Sequence, residues 1–318
     1  MRAAVFIDEL EFIRDHPVSE PLPGWARIKV ILAGICKTDM EIMKGYKGFK
    51  GVLGHEFVGV VERCDDPAWI GKRVAGEINV ACGDCRWCAQ GLGRHCAKRK
   101  TLGMINHDGC MAEYCLLPVE NLLIVPEDIP NERAVLLEPL SAACEILEQL
   151  PLYGDERIVV LGDGRIGILC AWVLSTVCSD VTLVGRHPEK LDVAAWHGVK
   201  RCLWTDAIGR DADIVVEATG SGQGMATAIS LCRPRGKIVL KSTVAIQGEV
   251  DLAQVVIHEL TILGSRCGRF ADGLAMMRKY PDMPLARMIT ARYPLAEVQA
   301  AFARAGQSDA LKVLLEMP

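Results

Sequence analysis

Along the 318-residue chain the spacing of apolar positions changes repeatedly, and each change predicts an element. Residues 158–161, "IVVL", form a short β-branched run that ends in glycines, which predicts a buried strand closed by a tight turn. The stretch that follows, "IGILCAWVLSTVC" (166–178), is apolar on every face over 13 residues. A bilayer span needs ~20 residues, so this stretch predicts a buried helix. Further strands are predicted at 213–220, 236–242 and 260–265, with helical segments between the first pairs. Strand and helix alternating in this way predict a doubly wound parallel sheet. Upstream, "GHEFVGVVE" sets a His-Glu pair at the head of a β-branched strand, and a second apolar run leads into Cys36. In "AVLLEPLSAACEILEQL" (134–150), Pro139 sits in the first turn of a helix with Leu140, Ala143, Cys144 and Leu147 on one face.

Composition narrows the functional classes. Half the residues are hydrophobic and 24% charged, the balance of a globular chain of about two domains. A net charge of −4 argues against nucleic acid or an anionic membrane surface as partner. The start, "MRAAVFIDELEF", turns acidic within eight residues and lacks the apolar core of a secretory signal, so a cytoplasmic protein is expected.

Of 14 cysteines, ten are scattered singly, while Cys82, Cys85, Cys88 and Cys96 cluster in "CGDCRWCAQGLGRHC". Four thiolates in a short turning loop suit a closed tetrahedral zinc shell, which stabilises a lobe and leaves no position for chemistry. An iron–sulfur cluster is the alternative for four cysteines.

The turn after 158–161 reads Gly162, Gly164, Gly167 as G-x-G-x-x-G, with Arg165 and Ile166 opening the helix. Between a strand and a helix this pattern holds the pyrophosphate of a dinucleotide against the helix N-terminus. Asp163 lies inside the turn, where an acid weakens phosphate binding unless it faces away or Arg165 offsets it. An NAD site usually has an acid at the tip of the next strand. Here Gly185, Arg186 and His187 stand there instead, and glycine's open space beside an arginine favours NADP over NAD.

Taken singly, Cys36 reads as a buried thiol, His55-Glu56 as a surface turn and Glu138 as an acid at a helix start. Together, "AGICKTDMEI", "GHEFVGVVE", the 82–96 loop, "DGCMAEYCLLP", "LLEPLSAA" and "VVLGDGRIG" occur in one order. That order resembles the zinc-dependent medium-chain dehydrogenases of the alcohol dehydrogenase superfamily, closest to the polyol, sugar and threonine dehydrogenase branch, along essentially the whole chain. The resemblance implies an α/β fold, with a Rossmann doubly wound parallel-sheet domain at 146–267 and a GroES-like irregular β-barrel catalytic domain at 1–145. The segment 268–318 would complete the catalytic domain. It also implies a catalytic zinc on Cys36 and His55, with Glu56 and Glu138 as remaining or alternating ligands, beside the structural zinc. Such an ion, with one open position, lowers the pKa of an alcohol or polarises a carbonyl.

By the same resemblance Thr38 relays a proton toward the nicotinamide ribose, and Glu113 lies near the substrate. Glu41 replaces the histidine of the threonine branch and points to a glucose dehydrogenase-like substrate. The implied partner is a small alcohol, polyol or sugar, and the implied assembly a homodimer or homotetramer. The chain is shorter than is usual for the family, with the stretch between Cys36 and His55 compressed. Two other readings are a zinc-free enoyl or quinone reductase on the same fold and a non-catalytic protein that binds nucleotide or zinc.

Overall fold

A computed structural model of the chain describes residues 1–206, 209–242 and 250–318. It divides into two compact units, Met1–Glu138 with Ile289–Pro318, and Pro139–Met288.

The first unit is organised by the strand Trp25–Gly34, which pairs antiparallel with Glu56–Cys64, Tyr114–Pro118 and Lys312–Glu316. Ala26, Ile28, Val30 and Leu32 are buried at every second position, as a strand with one face on a core requires. Arg73–Gly76 and Leu122–Ile124 extend the sheet on one side, and Ile289–Pro294 on the other. Two register shifts against Glu56–Cys64, at Arg27/Ile28 and Val30/Leu32, bend the sheet. A smaller sheet joins Ala3–Phe6 to Leu10–Ile13 and Gly51–Val52. The short pair Asn79–Val80 and Lys100–Thr101 closes the base of the 82–96 loop.

Among the described residues, the second unit holds six strands, all parallel. Numbered along the chain within this unit they stand in the order 3-2-1-4-5-6, the order of a dinucleotide-binding sheet. The central strand, Arg157–Leu161, is buried from Ile158 onward. The helix Arg165–Ser175 is buried from Gly167 to its end, as its unbroken apolar run requires. Five strands, Asp180–Gly185 among them, lie on or close to the runs read from the sequence. The third, Lys200–Leu203, was not expected; "KRCL" is an exposed edge with no apolar run to mark it.

The unit boundaries differ from those expected at 145 and 267. Residues 268–288 belong to the dinucleotide unit rather than to the catalytic one, and the cause is packing. Phe270, Gly273 and Met277 bury one face of the helix Phe270–Lys279. Beyond it, Tyr280 meets Trp196 edge to face at 5.7 Å, Trp196 Nε1 donates to Asp282 at 2.9 Å, and Arg287 donates to the Asp192 carbonyl at 3.1 Å. Among the described residues no helix is long and apolar enough to cross a membrane.

Trp172 is the largest fully buried side chain, and its Nε1 donates to the Ala194 carbonyl at 2.9 Å. Trp172→Ala removes both packing and hydrogen bond, and is expected to cost about 3–5 kcal/mol. A fall in the thermal unfolding midpoint measures it.

Candidate functional site

Strand pairing assembles the first site. Gly34 stands opposite Glu56 in the ladder, so Cys36, two residues beyond one strand, and His55, one residue before the other, reach the same end of the sheet. The donor atoms of Cys36, His55 and Glu56 lie within 4.8 Å of one another. His55 and Glu56 are buried, at 3% and 1% exposure, while Cys36 is half-buried. One thiol, one imidazole and one carboxylate at this separation suit a zinc ion with a position left open.

Two buried groups not anticipated from the sequence hold this trio. Asp39 is fully buried at the start of the helix Lys37–Met43; its Oδ2 accepts from the Cys36 backbone N–H at 2.8 Å. Its Oδ1 lies 3.2 Å from His55 Nδ1, a close ion-pair distance without good hydrogen-bond geometry. Burial lowers the His55 pKa, but Asp39 and Cys36 outweigh burial and hold it well above the usual value. With Nδ1 facing Asp39, Nε2 is the nitrogen left free to face a metal. Lys312 is the second group. It arrives on the C-terminal strand, fully buried, and its Nζ contacts Glu56 Oε2 and donates to the Ile35 carbonyl at 3.3 Å. A side chain at Gly34 would run into this carboxylate, so the missing Cβ there makes room for the pair. Asp39 has a signal in the sequence, an acid three residues after the thiol in "CKTD"; Lys312 has none, since 256 residues separate it from Glu56.

The other expected residues are placed differently. Thr38 Oγ1 is 3.7 Å from Cys36 Sγ and partly exposed. Glu138 stands in the first turn of the helix Leu137–Gln149 and is not part of the 4.8 Å donor group. Glu41 pairs with Lys44 at 3.0 Å. Glu113 accepts from both the backbone N–H and the guanidinium of Arg2 at 2.6 Å, which keeps its carboxyl below the usual range. Those contacts give Glu41 and Glu113 local partners within this unit.

The four clustered cysteines converge. Their sulfurs are 3.4 Å (Cys96–Cys82), 3.5 Å (Cys85–Cys88), 3.8 Å (Cys85–Cys96) and 4.0 Å (Cys82–Cys88) apart. Zinc–sulfur bonds of ~2.3 Å at tetrahedral angles place sulfurs about 3.8 Å apart, so the loop has the dimensions of a closed shell. Backbone N–H donation around Cys88 pulls the Cys85 thiol down to about 7, while a hydrogen bond with Asp84 pushes Cys82 up to about 12. Thiols this close ionise together only around a cation.

The second unit presents the glycine turn. Gly162 has φ +110°, and a side chain at Gly167 would run into the Gly162 carbonyl, so both are required by the turn's own packing. Gly164 differs: a Cβ there would meet nothing, so the turn leaves open backbone at the start of the helix where a pyrophosphate binds. Arg165 and Ile166 open that helix as expected. Asp163 faces the tip of the next strand, where its Oδ2 accepts from the backbone N–H groups of Arg186 (2.6 Å) and His187 (2.7 Å). The space expected beside Gly185 is therefore filled by a carboxylate.

The chain is similar to known proteins along nearly its whole length. The chain matches the alcohol dehydrogenase GroES-like domain over residues 22–127 and the glucose dehydrogenase C-terminus over residues 131–317. It is 33% identical to the L-threonine 3-dehydrogenase of Streptomyces avermitilis, over 96% of this chain and 95% of that one. Identity to the 2-dehydro-3-deoxy-L-galactonate 5-dehydrogenase of Pseudoalteromonas atlantica is 28%, over 99% and 98%. The crystal structure of an alcohol dehydrogenase from Escherichia coli CFT073, complexed with NADH, superposes with a TM-score of 0.88 at 26% identity over 99% of both chains. The chain belongs to the zinc-type medium-chain dehydrogenases of the alcohol dehydrogenase family, and its C-terminal part is of the glucose dehydrogenase type.

Lys312→Met leaves Glu56 buried and uncompensated, and is expected to cost about 3–5 kcal/mol. Adding Glu56→Gln should recover most of that loss; thermal unfolding of Lys312→Met, Glu56→Gln and the double variant measures the coupling.

Proposed function

We propose that the chain is a zinc-dependent dehydrogenase that transfers a hydride between a nicotinamide dinucleotide and a small polyol, sugar or secondary alcohol. The observation that carries this reading is the gathering of Cys36, His55 and Glu56 donors within 4.8 Å, backed by buried Asp39. The open cradle at Gly164 supports the coenzyme. A zinc ion held by the trio supplies the Lewis acidity that lowers the pKa of an alcohol or polarises a carbonyl. The chain's own residues do the rest. Asp39 Oδ1, 3.2 Å from His55 Nδ1, orients the ring so that Nε2 is the nitrogen left to face the metal. Lys312 holds the Glu56 charge in a buried pocket. Thr38, partly exposed beside Cys36, offers a hydroxyl through which a proton leaves the site.

A second zinc, on Cys82, Cys85, Cys88 and Cys96, is structural; four sulfurs leave it no open position. The zinc-free reductase reading has no use for the Cys36, His55 and Glu56 trio. The substrate class is supported by relatives acting on threonine and a sugar acid, and by Glu41 standing where the threonine branch has histidine. A homo-oligomer is supported by Leu252, Val256 and Ile257, exposed at 64%, 75% and 67% on one short helix, and by the sheet-edge strand Thr261–Gly264. The expected preference for NADP rested on space beside Gly185; Asp163 fills that space, and the choice of coenzyme is taken up below.

Turnover of polyols, aldoses, secondary alcohols and L-threonine, with either coenzyme, tests the reading. The wild type should reduce coenzyme with at least one polyol, sugar or secondary alcohol, and Cys36→Ser should fall to background while still binding coenzyme. An inactive wild type, or an active Cys36→Ser, would overturn it.

A further inference from the structure

We infer that Asp163 selects the coenzyme: its carboxylate stands at the adenosine-ribose site in place of the acid missing from the strand tip, and admits NAD(H) in preference to NADP(H). This rests on the dehydrogenase reading above.

In NAD-selective sheets the ribose-reading acid projects from the tip of the second strand. Here that strand is Asp180–Gly185, and its tip is glycine. A Cβ built on Gly185 would lie 2.5 Å from both Cβ and Oδ2 of Asp163. The Asp163 side chain therefore fills the volume that a strand-tip side chain would occupy, and brings a carboxylate there from the neighbouring turn. The acid has moved in sequence, not in space.

The carboxylate is firmly held and still has an acceptor to offer. Oδ2 takes the backbone N–H groups of Arg186 and His187 at 2.6 and 2.7 Å, and lies 3.0 Å from His187 Nδ1. Oδ1 has a longer contact, 3.2 Å, shared with the same ring nitrogen. A carboxylate offers about four lone-pair directions, so Oδ1 keeps capacity for a ribose hydroxyl. The side chain is 11% exposed, so its charge is weakly screened. A 2′-hydroxyl donates to such an oxygen; a 2′-phosphate brings negative charge and only acceptors.

Arg186 does not reverse this. Its guanidinium lies over the Trp204 ring, 5.2 Å from the centroid, a cation–π contact that already engages it. His187 faces Asp163 itself. Among the described residues, Asp163, Arg186 and His187 thus each have a partner at this strand tip.

The test is the pair of dissociation constants for NADH and NADPH, measured by fluorescence titration of the zinc-loaded protein. Wild type should bind NADH tighter by roughly tenfold or more. Asp163→Ser removes charge and bulk, and should move the NADPH/NADH ratio toward NADPH by roughly tenfold. Asp163→Asn keeps the shape and should shift the ratio the same way, which separates selectivity from misfolding. Arg186→Ala should weaken both coenzymes by the same factor. Wild type binding NADPH as tightly as NADH, a ratio unmoved in both Asp163 variants, or a selective loss of NADPH in Arg186→Ala would each overturn the assignment. Failure of the wild type to bind either coenzyme would instead overturn the dehydrogenase reading.

Discussion

The site depends on one register: Gly34 paired with Glu56 across two antiparallel strands. A ladder fixes which residues share an end of the sheet, and a slip by one residue turns every side chain to the opposite face. Because the pairing stops where it does, a thiol and an imidazole 19 residues apart in sequence emerge at one point. The same ladder brings the C-terminal strand alongside, with Leu314 opposite Gly34, so that Lys312 reaches Glu56. Backbone hydrogen bonds, not the donors themselves, do the gathering.

Both units then use the same electrostatic device. In the first, Asp39 accepts a backbone N–H from Cys36 and faces His55 at 3.2 Å. In the second, Asp163 accepts two backbone N–H groups and faces His187 at 3.0 Å. Hydrogen bonds from fixed amides hold each carboxylate in place. A carboxylate so fixed has its remaining oxygen beside a histidine ring nitrogen, His55 in one unit and His187 in the other. Glu56 is handled differently, by a buried ammonium, and a buried pair of this kind is costly to break from either side.

Local patterns were legible in the sequence and long-range partners were not. The 82–96 loop carries its whole ligand set within 15 residues, and the glycine turn lies between a strand and a helix that mark it. Periodicity found the buried strands and missed the exposed edge at Lys200–Leu203. The helix Phe270–Lys279 and the turn beyond it belong to the dinucleotide unit because Tyr280 and Asp282 find Trp196, a pairing that local periodicity does not encode. For the same reason Lys312 was invisible, and so was the pairing of Glu113 with Arg2, 111 residues away. Gly185 was read as empty space because glycine adds nothing of its own; what fills the space comes from another strand's turn.

As proposed, the chain carries two distinct zinc sites, one built by strand register and one by a cysteine loop. Elemental mass spectrometry of the wild type and Cys36→Ser, each purified without added metal, tests it most directly. Two zinc ions per chain are expected in the wild type and one in the variant. The same zinc content in both proteins would contradict it.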